Sequence, residues 1–209
     1  MSWEHDIEAV AKLAPVIPVL VVDDVAHAAP LAEALVAGGL RALEVTLRTP
    51  VALDVIRAMR AAAPEAVVGA GTLLSARDVE AAIEAGVAFG VSPGAPAPVL
   101  AAAKSAGLPM LPGVATPTEA LTALEAGFSF QKFFPAEANG GIATLKGWAS
   151  PLAPIRFCPT GGVTVESAPN YLALPNVVCV GGSWIAPPDL LKAGAFDEIA
   201  RRAGAAAAL

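Results

Sequence analysis

Short runs of Val, Ile, Leu and Ala, most ending near Gly, Pro, Ser or Thr, alternate along the chain with longer alanine-rich segments of helical periodicity. The runs Val16–Val22, Ala42–Thr46, Val67–Gly71, Phe89–Ser92, Pro109–Pro112, Phe128–Phe133, Arg156–Thr160 and Val177–Val180 predict eight strands. Between them, Val25–Ala37, Val51–Ala62, Ala76–Ala85, Ala97–Ala106 and Pro117–Ala126 predict helices. Several start at polar residues or Pro, and Gly38, Gly86, Gly107 and Gly127 follow their ends. Strands alternating with helices imply a parallel sheet, because parallel neighbours need a crossover between them.

Eight such units either close into a (β/α)8 TIM barrel or lie open as a doubly wound sheet. The chain is short for a barrel but within its lower range. No G-x-G-x-x-G follows the first strand, which runs into Asp23-Asp24, and this disfavours the open nucleotide-binding sheet. No linker, charge block or low-complexity segment divides the chain. The expectation is a single-domain α/β barrel over residues 1–209.

Composition sharpens this picture. Of the 209 residues 56% are hydrophobic, above the roughly 45–50% of typical soluble domains, so a membrane span must be considered. The longest uncharged stretches, Ser167–Pro188 and Ala85–Ala103, are broken by Pro169, Pro175, Pro187 and Pro188 and by Pro93, Pro96 and Pro98. Neither can be a continuous spanning helix. The net charge of −6 argues against a nucleic-acid partner. The segment Met1–Asp6 has no apolar signal region, so cytoplasmic location is expected. Cys158 and Cys179 each lie in an apolar run and read as free buried thiols.

In a barrel the polar residues at the C-terminal ends of the strands carry the chemistry. In Leu43-Glu44-Val45-Thr46-Leu47-Arg48 alternation puts Glu44, Thr46 and Arg48 on one side, facing the barrel mouth, and the apolar set towards the helices. In Gln131-Lys132-Phe133-Phe134-Pro135 a lysine stands inside an apolar, aromatic strand, where burying its charge is costly and a neutral amine can attack a ketone. The competing reading is a lysine that snorkels to solvent or pairs with Glu44. The seventh and eighth strands end in Thr160-Gly161-Gly162 and Val180-Gly181-Gly182-Ser183. Paired glycines let backbone N–H groups approach an anion, and barrels commonly bind phosphate in the loops after these two strands.

Thr72, after Gly69-Ala70-Gly71, and Ser92-Pro93-Gly94 end the third and fourth strands and are further pocket candidates. His5 and His27 have no clustered carboxylates, and catalytic zinc normally takes three protein ligands, so no metal site is expected. Trp3, Trp148 and Trp184 read as packing or interface residues.

The runs Gly39 to Arg48 and Gly127 through Lys132-Phe133-Phe134-Pro135-Ala136 to Gly140 resemble the two signatures of the 2-keto-3-deoxy-6-phosphogluconate aldolase / 4-hydroxy-2-oxoglutarate aldolase family. Gly69–Thr72, Ser92–Gly94, Arg156–Gly162 and Gly181–Trp184 are similar to further segments of that family, in the same order, so the resemblance extends from about Val10 to Ala200. It implies a (β/α)8 class I aldolase, trimeric and without metal or other cofactor, in which Lys132 forms a Schiff base and Glu44 is the general acid/base. It implies that Arg48, Thr72 and Pro93 border the pyruvyl part, with Phe134 also in the pocket, and that Thr160, Gly161, Gly162, Gly182 and Ser183 surround the polar chain and phosphate. Two departures stand out. Gln131 replaces a usually apolar residue, on the side that alternation turns away from the pocket. Val21 stands where some members carry Arg, which leaves more of the carboxylate recognition to Arg48 or to backbone groups.

The implied partner is therefore a small phosphorylated keto acid, with no nucleic acid and no membrane. Two other readings compete: a phosphate-binding barrel isomerase, epimerase or synthase that needs no lysine, and a non-catalytic trimeric building block in which Lys132 and Glu44 merely pair. Fold alone does not separate them.

Overall fold

The computed structural model describes residues 3–209, with side chains from Ile7 onward. The expectations for Trp3, His5 and the Met1–Asp6 segment thus concern side chains outside those described. The strands are β1 Val16–Leu20, β2 Ala42–Thr46, β3 Val67–Gly71, β4 Phe89–Val91, β5 Met110–Leu111, β6 Gly113–Val114, β7 Phe130–Phe133, β8 Arg156–Pro159 and β9 Val180–Gly182. The helices are α1 Trp3–Ala11, α2 Ala28–Ala37, α3 Ala52–Ala62, α4 Ala76–Glu84, α5 Ala97–Ala106, α6 Pro117–Glu125, α7 Gly141–Trp148, α8 Ala168–Leu172, α9 Pro188–Lys192 and α10 Phe196–Ala207.

The helix starts follow from local chemistry. Ser75 and Thr116 accept hydrogen bonds from the backbone of Asp78 and Glu119, whose carboxylates reach back to the cap residues, so α4 and α6 both open with a capping box. Gly107 closes α5 at φ 66°, a conformation that costs a residue with a Cβ but not glycine.

All strand pairs are parallel, and the sheet is curled, in a six-stranded part ordered β5-β4-β3-β2-β1-β9 and a three-stranded part ordered β6-β7-β8. Isolated bridges also join Phe157 to Val177 and Thr160 to Gly181. Two sequence expectations are corrected. The predicted fifth strand, Pro109–Pro112, is instead two short pieces around Pro112, which has no N–H for a ladder, although its carbonyl accepts from Lys132 N at 2.8 Å. The predicted last strand, Val177–Val180, begins only at Val180 and takes in Gly181 and Gly182, which pair with Ile17 and Pro18 of β1. The valines carry the strong strand propensity, but only the glycines fit. A Cβ on Gly181 would collide with Thr160 Oγ1, and one on Gly182 would stand 2.7 Å from the Trp184 ring. The lysine-bearing strand is therefore β7, and the two glycine pairs follow β8 and end β9.

Two cores result. Leu31, Leu35, Leu43, Val45, Ile56 and Val68 belong to the larger one, where strands meet helices. Inside the curl lies a smaller cluster that includes Ile17, Ala42, Phe89, Phe130, Cys158 and Cys179, into which α1 inserts Ile7 and Ala11. Ala42 and Phe130 begin β2 and β7. Strand alternation then points Glu44 and Lys132, two residues further along, to the same inner side. No described helix is long and apolar enough to cross a membrane.

Candidate active site

Glu44 and Lys132 are each 3% exposed, on strands from opposite parts of the sheet. Lys132 Nζ lies 3.5 Å from Glu44 Oε1, and that oxygen makes no hydrogen bond. Gly71 on β3 makes room for the carboxylate, since a Cβ there would overlap Glu44 Oε1. Lys132 Nζ also stands 5.0 Å from the centre of the Phe134 ring. A pair so deeply buried is a poor source of stability, because desolvation offsets the attraction. What it does supply is an amine and a carboxylate in mutual reach, shielded from bulk water.

Phe134 connects this pair to a cleft of about 100 Å³ lined also by Arg48, Thr160, Gly161, Gly162 and Ser183. The same cleft takes in Gly181, from the second glycine pair, together with Val19 and Val163, which pattern alone does not point to. Val19 was legible in principle: it follows the inward-facing Ile17 by two residues, but an apolar side chain gives no chemical signal. Arg48 lies beyond the end of β2, exposed, and its Nε donates to Thr72 Oγ1 at 3.1 Å. Thr72 holds φ 63°, uncommon for a β-branched residue, and so places its hydroxyl against Arg48. Pro93 follows β4, packed against Gly113 of β6, where a Cβ would overlap its carbonyl. Thr72, Pro93 and Gly182 are not among the residues lining the cleft, and Gly182 sits within β9 beneath Trp184.

Gly161 and Gly162 adopt φ 98° and 81°, conformations that disfavour any side chain. Thr160 N donates to Phe133 O at 3.0 Å, tying the start of this loop to the end of the lysine strand. Beyond the loop, Thr164 and Ser167 exchange side-chain-to-backbone hydrogen bonds of 3.0 and 3.3 Å, and a hydrogen bond from Thr164 holds the Glu166 carboxyl below its ordinary range.

Gln131 behaves as alternation requires: its Nε2 donates to Ala120 O in α6 at 2.9 Å and to Phe128 O at 2.8 Å, away from Lys132. Trp148 packs between Phe133 and Phe157, with ring centres 5.2 and 5.6 Å away. Both cysteines are free and buried, and the hydrogen bond with Cys158 together with burial pushes the Cys179 thiol well up, so it stays protonated and a poor nucleophile. His27 packs edge-on against Phe196, and among the described residues no group of three or more His, Cys, Asp or Glu side chains is placed to hold a metal.

A buried lysine beside a carboxylate in a curled parallel sheet fits the carbon–carbon lyases of the aldolase type. The profile of the family described as "KDPG and KHG aldolase" matches residues 7–202, and the chain belongs to that family. It is 47% identical over 202 residues to the KHG/KDPG aldolase of Escherichia coli strain K12, covering 97% of this chain and 95% of the relative. The crystal structure of the 2-keto-3-deoxy-6-phosphogluconate aldolase of Zymomonas mobilis ZM4 with 3-phosphoglycerate is similar at TM-score 0.92 and 50% identity, covering 98% of this chain and 96% of that one. The KDPG aldolase of Legionella pneumophila, with pyruvate captured as a covalent carbinolamine intermediate, superposes at TM-score 0.94 and 41% identity, over 96% of this chain and 98% of the other.

Proposed function

We infer that the chain cleaves 2-keto-3-deoxy-6-phosphogluconate reversibly to pyruvate and glyceraldehyde 3-phosphate, and acts also on 4-hydroxy-2-oxoglutarate. The observation that carries this reading is the buried Lys132 amine 3.5 Å from the Glu44 carboxylate, beside a cleft edged by glycine backbone. The relatives' names supply the substrate.

Lys132 attacks the C2 ketone, and the carbinolamine loses water to give an iminium. Glu44 takes the proton of the C4 hydroxyl as the C3–C4 bond breaks, and the bond's electron pair moves into the iminium as an enamine while the aldehyde leaves. Protonation of the enamine at C3 and hydrolysis release pyruvate and restore the amine. The iminium is the electron sink, so the chemistry needs no metal or other cofactor. One carboxylate serves every proton transfer because each occurs within a bond or two of C2 or C4.

Arg48, Thr72, Pro93 and Phe134 border the pyruvyl part. Thr160, Gly161, Gly162, Gly182 and Ser183 hold the polar chain and phosphate, the backbone N–H groups of Gly161 and Gly162 supplying charge-assisted hydrogen bonds. The single domain of residues 1–209 is an eight-stranded (β/α)8 barrel in which β5 and β6 are one interrupted strand. The bridges between β8 and the segment around β9, and the hydrogen bond from Lys132 N to Pro112 O, support that closure. The enzyme works as a homotrimer, as the family resemblance implies, and in the cytoplasm, where free thiols persist.

The test is reduction with borohydride in the presence of pyruvate, followed by peptide mapping and a turnover assay with the phosphorylated substrate. The expected adduct is on Lys132, with turnover that survives EDTA. A label on Lys104, Lys146 or Lys192, or none, overturns the Schiff-base assignment, and activity lost to EDTA and restored by zinc favours a metal-dependent barrel enzyme.

A further inference from the structure

The Gly161–Gly162 loop carries no side chain of its own that could fix its shape, so its N–H groups must be aimed from outside. The turn after the lysine strand does part of this. Ala136 N donates to Thr160 O at 2.8 Å and Glu137 N to Gly161 O at 3.1 Å. In a planar trans peptide the N–H points opposite to the C=O, so these two bonds turn the N–H groups of Gly161 and Gly162 away from the 136–137 turn. The side chain of Glu137 then backs the loop: a Cβ on Gly162 would stand 2.6 Å from Glu137 Cγ and 2.7 Å from its Cβ.

Glu137 is itself held. The hydroxyl of Tyr171, on α8, donates to Glu137 Oε1 at 2.6 Å, while the tyrosine as a whole is fully buried. Gly141, at φ 53°, leaves the space this contact needs, since a Cβ there would come within 2.7 Å of the hydroxyl. Burial first, and then the hydrogen bond and charge of Glu137, push the Tyr171 hydroxyl well above its ordinary value, so it remains a donor at any working pH. The same bond fixes where a negative charge sits beside a loop meant for an anion.

We propose that Glu137 and Tyr171 form a clamp that sets the Gly161–Gly162 loop, and that both are positioning residues for the phosphorylated end of the substrate. This rests on the reading of that loop as the phosphate site. Tyr171→Phe keeps the ring and deletes only the hydrogen bond. Glu137→Ala removes the backing, whereas Glu137→Gln keeps an acceptor for Tyr171 and drops the charge.

The experiment is steady-state kinetics on folded variants, with the phosphorylated substrate, with unphosphorylated 4-hydroxy-2-oxoglutarate, and with inorganic phosphate as competitive inhibitor. The lost bond acts on the phosphate only through the loop, so the rise in KM for the phosphorylated substrate and in Ki for phosphate should be about 3–10-fold for Tyr171→Phe and Glu137→Ala, less than the roughly tenfold or more of a direct bond to a charged group. The kcat should stay within about twofold and the KM of the unphosphorylated acid should not move, with Glu137→Gln no worse than the unaltered protein, since it keeps the acceptor and loses only a charge that repels phosphate. Equal losses on both substrates, no change in Tyr171→Phe, or a Glu137→Gln variant as impaired as Glu137→Ala would each overturn the clamp. If phosphate does not compete in the unaltered protein, the phosphate site itself is wrong and the clamp falls with it. If phosphate competes but the variants are unchanged, only the clamp fails.

Discussion

The Glu44–Lys132 pair and the glycines that follow β8 and end β9 are joined through Phe134 but are built in opposite ways. The first is made of side chains, 3% exposed, fixed by the ladders of β2 and β7. The second is made of backbone, at positions where a Cβ would collide with Glu137, Phe134, Thr160 or Trp184. Reactive chemistry needs particular functional groups at fixed separation, and strands inside a core supply that. In the proposed reading the glycines serve anion recognition, which needs converging N–H groups on residues without side chains, held by neighbours that have them.

The largest test of this contrast is Lys132→Met. An apolar side chain of similar length suits the aromatic strand, so the fold should persist, while the borohydride-trapped pyruvate adduct and the turnover disappear. Removing Lys132 strands the Glu44 carboxylate in the core, where breaking a buried pair typically costs about 3–5 kcal/mol. The variant should therefore also melt at lower temperature unless Glu44 takes up a proton. A normal adduct in a folded variant would detach the chemistry from β7.

Glu44→Gln keeps the shape and removes the basicity, and general acid–base catalysis is typically worth about 10²–10⁴-fold. Turnover should fall by that order in stopped or continuous assays of pyruvate release. Near-normal kcat would mean that the carboxylate only pairs with the lysine.

Gly162→Asp probes the other region. Its side chain meets Glu137 and its charge repels phosphate, so use of the phosphorylated substrate should weaken by at least about tenfold, the loss of one or two charge-assisted hydrogen bonds. Pyruvate trapping at Lys132 should change little. If both fall together in a folded variant, or neither does, the two regions are not separable in the way described.

The smallest expected effect lies behind β9. Arg202 donates to Trp184 O at 3.0 Å, and Trp184 packs on Gly182, so α10 supports the second glycine loop from outside. Hydrogen bonds from Arg201 and Arg202 hold the Glu198 carboxyl down to about 2, from an ordinary 4.5. A carboxyl held lower in the folded chain stabilises it above its unfolded value, and that contribution is lost as pH falls from about 4.5 towards 2. Glu198→Gln should remove this acid-range dependence and with it the same contribution at neutral pH, a small drop in melting temperature, as solvent screening of a partly exposed pair requires. A large neutral-pH loss would show that α10 bears on the site more than its exposure suggests.

Much of this was readable from residue order alone. Period-two alternation placed Glu44 and Lys132 on one side and turned Gln131 to the helix layer, where its amide meets Ala120. The motif series from Gly39 to Trp184 identified the family, because it fixes residue type and order together. Pattern also gave most of the strands. It misplaced the last one: propensity favours the valines at 177–180, but the ladder with β1 needs Gly181 and Gly182, whose fit depends on Thr160 and Trp184. It drew the fifth strand whole, where Pro112 interrupts it.

Residue order carries the functional groups and their facing, since these depend on side-chain type and on local backbone period. The tertiary structure alone decided the distances and supports. The 3.5 Å between Lys132 and Glu44 spans two parts of the sheet. The left-handed Thr72 that meets Arg48, the apolar Val19 in the cleft, and the reach of Tyr171 to Glu137 across 34 positions of chain all depend on closing long loops against packed neighbours. No local period encodes such contacts, because their energy comes from residues far apart in the chain that meet only once the sheet has curled.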